Sequence, residues 1–399
     1  MEKVRVALIG LGERGQQYLY DELLCHMDDV EITVICDVYE DRMKASVGYI
    51  LDKNRPAPKC EADYKKAIDD PDVDVVLITT SWESHVDIAV YAMKAGKITA
   101  MEVGGAYDIE DCWRLVRTYE ETGTPFMFLE NCCYGRLELM ALNMAQQGMF
   151  GEIVHCAGAY HHNLAGQVCN GRKNRHYRQR NYVLRNTENY PTHELGPIAK
   201  ILNINHGNRM LSLTATASKE AGMREYINTV SKEKMDEGLE NVRFAQGDVV
   251  TTVIKCAGGE TITLMLDTSI VNLGGRSFTI RGTKGLVDEQ FKCVSCEHNG
   301  YNRSYNNLEE YFPKYDHPMW KEFLDSGITG GHGGMDWLEF RDFFECVKAG
   351  KPMPIDVYDA AAWMAVTALA EQSIALGSAP VFFPDFTRGK WTLDAATEK

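Results

Sequence analysis

The stretch Val4–Gly15, "VRVALIGLGERG", decides the fold. An apolar run over 4–9 leads into Gly10, and the glycines at 10, 12 and 15 satisfy a GxGxxG spacing. That spacing alone is weak evidence; its context makes it specific. A predicted strand precedes it and a helical pattern over Gln16–Met27 follows. A second apolar run at 31–36, "EITVIC", then ends on Asp37, 22 residues beyond Gly15. In such a turn Gly10 permits the tight bend, Gly12 lets the backbone approach a pyrophosphate, and Gly15 allows close helix packing. The helix N-terminus supplies amide donors for the phosphates. Asp37 can accept hydrogen bonds from both ribose hydroxyls and would repel a 2′-phosphate. With no arginine immediately after it, the pattern favours NAD over NADP. Arg14, inside the turn, is grouped with the cofactor-binding residues.

Outward from this turn, "VDVVLITT" (73–80), "ITAME" (98–102) and "PFMFLE" (125–130) read as further strands, with helical patterns at Glu40–Leu51 and His85–Ala95. Near-continuous apolar strands are what a parallel sheet covered on both faces requires. Residues 1–130 therefore read as a Rossmann domain, a doubly wound parallel α/β sheet. The rhythm then changes. A helix over Leu137–Gln147 leads to strand candidates at 153–160, 211–218, 249–256, 261–268 and 278–281, joined by short turns such as "GTKG" (282–285). This predicts an open, mainly antiparallel sheet. Helices at about 336–348 and 357–376 close a second α/β domain assigned to 131–399.

A chain of 399 residues fits two domains. Its 45% hydrophobic and 25% charged content is that of an ordinary globular protein. No apolar run reaches the ~18 residues of a membrane-spanning helix, and "MEKVRVALIG" enters a strand without an apolar signal core. The twelve cysteines are scattered along the chain, and Cys36 and Cys256 sit inside apolar patterns. They read as reduced thiols of a cytoplasmic protein, with neither a disulfide framework nor a metal site. The net charge of −15 disfavours nucleic acid and anionic membranes as partners. One basic stretch, "GRKNRHYRQRNYVLR" (171–185), has two readings. It is either a solvated loop or a substrate-facing one whose arginines, Arg178 among them, hold sugar hydroxyls or an anionic group.

Longer motifs then converge. "TTSWESHVDIAVYAMKAGK" (79–97), "MEV" (101–103) and "ENCCYGRLELMALNMAQQGMFGEI" (130–153) resemble the Gfo/Idh/MocA oxidoreductase superfamily over nearly the whole chain. "YPTHELGPIAKILNIN" (190–205), "GGHGGMDW" (330–337) and the C-terminal "DVYDAAAW" and "SAPVFFPDFTRGKW" resemble one branch, the NAD-dependent glycoside hydrolases typified by α-N-acetylgalactosaminidase. The resemblance implies a Rossmann domain and a C-terminal α/β domain whose open sheet forms homo-oligomer contacts. It implies that Trp82 and His85 lie in the loop under the cofactor, and that Glu102 and Asn131 face its nicotinamide end. Tyr134 is placed on the same side. Dehydrogenases of the superfamily follow the glutamate with a lysine that contacts the reacting hydroxyl; here Val103 takes that place, and Asn189 stands where an aspartate is usual. The pocket is thus expected to lack its fixed cation, leaving proton work to His193 and nearby tyrosines.

On this resemblance His193 is the catalytic base, an imidazole with an ordinary pKa of about 6.5. Tyr160, in "GAYHHNL", matches a tyrosine of the hydrolases. Tyr190 is a further catalytic candidate, and His332 is set at the sugar rim with Arg178. A tyrosine of the hydrolases before the "GTKG" turn is missing, with Gly274 at its place. The implied cycle oxidises C3 of a carbohydrate substrate, removes the C2 proton, eliminates the aglycone from C1, adds water and re-reduces C3. It needs no carboxylate pair. Two other readings fit the same residues: a plain NAD-dependent sugar or polyol dehydrogenase, and a non-catalytic sugar or NAD sensor.

Overall fold

The computed structural model describes residues 3–20, 24–104, 106–296, 305–327 and 330–393. The chain forms two compact units: Met1–Tyr134 with Met319–Ala361, and Gly135–Pro318 with Ala362–Lys399.

In the first unit the five apolar runs and a short polar edge strand absent from the sequence reading, Lys59–Glu61, form six parallel strands: β1 (Val4–Ile9), β2 (Val30–Cys36), β3 (Lys59–Glu61), β4 (Val75–Ile78), β5 (Ile98–Glu102) and β6 (Phe126–Leu129). Their order is β3-β2-β1-β4-β5-β6, so the chain reverses direction across the sheet between β1 and β4. Ligands of doubly wound folds bind at such a switch point, beyond the carboxyl ends of the strands. Both faces of the central strands are buried, as their unbroken apolar character demands. The helix Ile109–Thr122, absent from the sequence reading, starts where the Asp108 side chain accepts from the Asp111 amide and stops at left-handed Gly123.

The segment 319–361, expected in the second domain, belongs to this unit instead. Its helix Met335–Ala349 buries Phe340, Phe343 and Phe344 completely, and Phe340 meets the Tyr18 ring edge-on with centroids 4.6 Å apart. The exit of the same helix is tied to the start of β2. Both terminal nitrogens of Arg341 donate to Asp29 at 2.8 Å, and Lys348 pairs with the same carboxylate. A lone aromatic-rich helix late in the chain carries no mark of the unit it will join, which is why chain order misplaces it.

In the second unit eight strands form a mixed sheet: β7 (Ile153–His161), β8 (Met210–Ala217), β9 (Val249–Cys256), β10 (Thr261–Asp267), β11 (Thr279–Gly282), β12 (Leu286–Asp288), β13 (Cys293–Ser295) and β14 (Val381–Phe382). The order is β13-β12-β11-β7-β10-β9-β8-β14, antiparallel throughout except for the β7–β10 pair. One face is buried, with Val250, Ile254, Ile262 and Leu264 in the core and the helix Thr192–Ile201 packed against β7. On the other, Val253, Lys255, Met265 and Phe382 are exposed. The stretch 219–238, read as charged surface, contains a helix, Gly222–Thr229, that buries Met223 and Ile227. All twelve cysteines are free, and Cys60 on edge strand β3 is the exposed one. Among the described residues no helix is long and apolar enough to cross a membrane.

The Arg341 and Lys348 pairing holds the Asp29 carboxyl well below the usual carboxylate range, against the opposing effect of burial. A depressed folded-state pKa stabilises the fold above the unfolded value and loses that contribution as pH falls through the carboxylate range. Asp29→Asn is therefore expected to lower the melting temperature at pH 7 by a few degrees, with the gap to wild type narrowing below about pH 4. Thermal melts across that range check it.

Candidate active site

The glycine turn closes as its sequence requires. Gly10 has φ +97°, and a Cβ there would lie 2.7 Å from the Thr79 backbone; one on Gly15 would lie 2.0 Å from the Gly10 carbonyl. Gly12 is open, with only an Arg42 nitrogen within reach, 3.5 Å from a would-be Cβ. Asp37 is buried at the end of β2 and holds the turn in place. Its Oδ2 accepts from the Leu11 amide at 2.7 Å and its Oδ1 from the Tyr39 amide at 2.9 Å. Arg42, five residues on, lies 3.6 Å from Asp37 and stacks over Tyr39, a cation that inspecting only the next residue overlooks. Crowded Gly10 and Gly15, open Gly12 and the anchored acid are the cradle a dinucleotide needs, so these residues fit NAD.

Trp82 opens the helix Trp82–Lys94, and its ring covers Gly104 so closely that a Cβ there would lie 2.5 Å from Nε1. His85 is fully buried, and burial pushes its pKa down against the opposing pull of two backbone carbonyls. Its Nε2 stands 3.0 Å from the Thr80 carbonyl and its Nδ1 3.4 Å from that of Gly104. His85 thus bridges the turns after β4 and β5.

At the end of β5, Glu102 is not without a cation. Arg14 Nε donates to Glu102 Oε1 at 2.6 Å, and the Tyr18 hydroxyl donates to the same oxygen. Burial alone would lower the Arg14 pKa, but Glu102 and Asp336 more than offset it and the guanidinium stays charged. Val103 takes the place of the lysine that the resemblance sets at the reacting hydroxyl, and Arg14 reaches the Glu102 carboxylate from the glycine turn. Arg14 also pairs with Asp336 through both terminal nitrogens, Asn131 Nδ2 donates to Asp336 at 2.7 Å, and His332 Nδ1 lies 2.7 Å from it. Arg14, Glu102, Asn131 and His332 thus meet in one unit around Asp336, a residue sequence reasoning passes over. Its signal is its place four residues after His332 in "GGHGGMDW". His332, expected at the sugar rim, is held in the cofactor unit. The Tyr134 hydroxyl donates to Asp342 at 2.8 Å, and its carbonyl accepts from Trp320.

The second unit gathers the remaining candidates. Tyr160, near the end of β7, lies with its ring centroid 4.7 Å from Tyr190 and 5.6 Å from His193; Tyr190 and His193 are 4.7 Å apart, edge to face. The buried Arg178 guanidinium sits over Tyr190 at 5.0 Å and donates to Gln167 at 2.9 Å. His162, which sequence reasoning also passes over, places Nδ1 2.9 Å from the Tyr160 hydroxyl. The arginines and lysine of the basic stretch have different partners. Arg178 joins the aromatic cluster. The backbone amides of Arg172 and Lys173 instead donate to Asp236, and Arg185 pairs with Glu371. Asn189 donates to Gln246 at 3.2 Å. Gly274 lies in a loop folded around Asn272, with Val271 and Leu273 fully exposed beside it.

The class follows from these features: an enzyme on the NAD-binding Rossmann fold of the oxidoreductases, with NAD as cofactor. Residues 4–129 match the oxidoreductase family with NAD-binding Rossmann fold, and residues 134–393 match the glycosyl hydrolase 109 C-terminal domain. The chain belongs to glycosyl hydrolase family 109. A family 109 protein of Stenotrophomonas maltophilia is 38% identical over 98% of this chain and 90% of its own length. A protein of Tannerella forsythia named alpha-N-acetylgalactosaminidase is 36% identical over 97% of this chain and 87% of its own. Among solved structures, levoglucosan dehydrogenase in complex with NADH and levoglucosan shares the fold at TM-score 0.71 and 16% identity, covering 96% of this chain and all of that one. An NAD-binding oxidoreductase from Klebsiella pneumoniae does so at 0.72 and 17%, with the same coverage.

Beneath the cluster, Glu188 is fully buried, and burial raises its pKa to about 8; the amides of Tyr190 and Leu266 oppose the shift without closing a hydrogen bond. A raised folded-state pKa gives stability present below the unfolded value of about 4.3 and lost as pH rises toward the folded one. Glu188→Gln is expected to remove that loss, so the variant gains on wild type between pH 5 and 8, measurable as urea midpoints at both ends.

Proposed function

We propose that this chain hydrolyses a glycosidic bond with no net consumption of its NAD, and that Tyr160 and His193 carry the proton transfers. The observation behind this reading is the close set of two phenols, an imidazole and a guanidinium in the second unit, in place of the two carboxylates of ordinary glycoside hydrolysis. Bound NAD supplies reversible hydride transfer, held by Gly10, Gly12, Gly15, Asp37 and the loop of Trp82 and His85. His193 takes the proton of the sugar hydroxyl at C3. Once C3 is a carbonyl the C2 hydrogen is acidic, and Tyr160, its own proton passed to His162 Nδ1, removes it as the phenolate. The C1–O bond breaks by elimination, water adds at C1, C3 returns to the alcohol level, and the protons held by the same groups, with the one released by water, go back to C2, the C3 oxygen and the departing aglycone oxygen. Arg178, rigid over Tyr190, orients the sugar. The Tannerella relative makes an N-acetylgalactosaminide the first substrate to try; Gly274, where a tyrosine is expected, points to altered choice of sugar or aglycone.

A panel of nitrophenyl α- and β-glycosides, read at once for nitrophenol and NADH, tests this. Nitrophenol without NADH accumulation is the expected result, with deuterium at C2 of the sugar released in heavy water. Tyr160→Phe and His193→Ala should each lower kcat by roughly a hundredfold or more. Stoichiometric NADH from free sugar would instead identify a dehydrogenase, and C2 protium fully retained during rapid cleavage rejects the elimination.

The reading extends to assembly and location. Val253, Met265 and Phe382 on the exposed sheet face support a homo-oligomer contact between like faces. Val253→Glu with Met265→Lys is expected to shift the light-scattering mass toward the monomer while leaving NAD binding intact; an unchanged mass removes this face from consideration. The twelve free thiols support a reducing, cytoplasmic setting.

A further inference from the structure

Asp336 stands in the first turn of the helix Met335–Ala349 with its side chain fully buried. Its Oδ2 accepts from Arg14 Nη1 at 2.8 Å, and its Oδ1 from Arg14 Nη2 at 3.0 Å and from Asn131 Nδ2 at 2.7 Å. With Nε on Glu102, the Arg14 guanidinium is gripped by two carboxylates from opposite ends of the chain. Arg14 lies in the first turn of its own helix, where an arginine gains nothing from the helix dipole, so these carboxylates are what hold it there. Glu339, one turn beyond Asp336, is also buried, and burial pushes its carboxyl pKa up. The two carboxylates that grip Arg14, Glu102 and Asp336, face one guanidinium.

The route to Asp336 is conformationally demanding. His332, Gly333 and Gly334 have φ of +49°, +68° and +108° in succession. A Cβ on Gly334 would lie 2.5 Å from the Phe323 ring. A side-chain-bearing residue in the left-handed region persists where its surroundings over-determine it; here the His332 ring is drawn onto Asp336.

We propose that Asp336 is the positioning residue of the dinucleotide site: it locks Arg14 against Glu102, anchors Asn131, and with Glu102 biases the site toward the oxidised, positively charged dinucleotide. The turn 330–334 then serves the cofactor and not the sugar. The inference rests on the NAD assignment and is independent of the sugar chemistry, so its test needs no turnover.

Calorimetric titration of NAD⁺ and NADH into wild type, Asp336→Asn and His332→Asn, each freed of copurified dinucleotide, reads it directly. Asparagine tolerates the left-handed backbone, so His332→Asn removes the ring contact and keeps the turn. Asp336→Asn is expected to weaken NAD⁺ by about tenfold or more and NADH by less, lowering the preference for the oxidised form. His332→Asn should weaken NAD⁺ a few-fold, and it carries the test if Asp336→Asn does not fold. Unchanged NAD⁺ affinity in a folded variant, equal losses for both forms with Asp336→Asn, or an effect confined to sugar KM overturns the proposal. A glycoside panel without hydrolysis would sink the glycosidase reading and leave these titrations standing.

Discussion

A carboxylate taken wholly out of water must be matched, and the match made by Asp336 organises the first unit. Its partners come from two distant parts of the chain, the glycine turn and the segment after β6, and from the adjoining turn 330–334. Removing a partner from a buried ion pair costs far more than the pair itself contributes, because the remaining charge is left unsolvated. The arrangement is therefore all-or-none. It explains why a helix more than three hundred residues along the chain is part of the dinucleotide unit.

The second unit solves a different problem. Its candidate groups are neutral aromatics and an imidazole, packed ring against ring, with one guanidinium over the Tyr190 face. Phenol and imidazole pass protons without needing a counter-charge, and their rings bring their own rigidity. A family that leaves the bond-making power to a nicotinamide asks its protein for this sort of equipment: placement and proton handling.

How much of this was legible differs by unit. Five of the six Rossmann strands could be read because they announce themselves locally; the short polar β3 and the helix Ile109–Thr122 did not. Apolar runs mark buried parallel strands, and Gly10, Gly15 and Asp37 stand at spacings dictated by the turn. The strands of the second sheet were legible by the same alternation, to within a residue or two at β7, β8, β9 and β10. Long-range partnerships were not. Nothing near Arg14 reveals that Glu102 and Asp336 will enclose it, so the loss of a lysine at Val103 looked like the loss of all positive charge. His162 was hidden beside Tyr160 because a two-residue spacing on a strand end says nothing of which way the last side chain turns. Asp336 lay inside a quoted motif, but the eye goes to the histidine among glycines and not to the acid that holds it.

The cysteine inventory carries a practical consequence. Eleven of twelve thiols are buried or half-buried, and Cys60 is exposed on the edge strand of the dinucleotide sheet. A maleimide dye added briefly at neutral pH will meet Cys60 ahead of half-buried Cys133 and Cys296, so the native chain comes with a ready attachment point for a fluorophore on the strand beside the one that leads to Asp37.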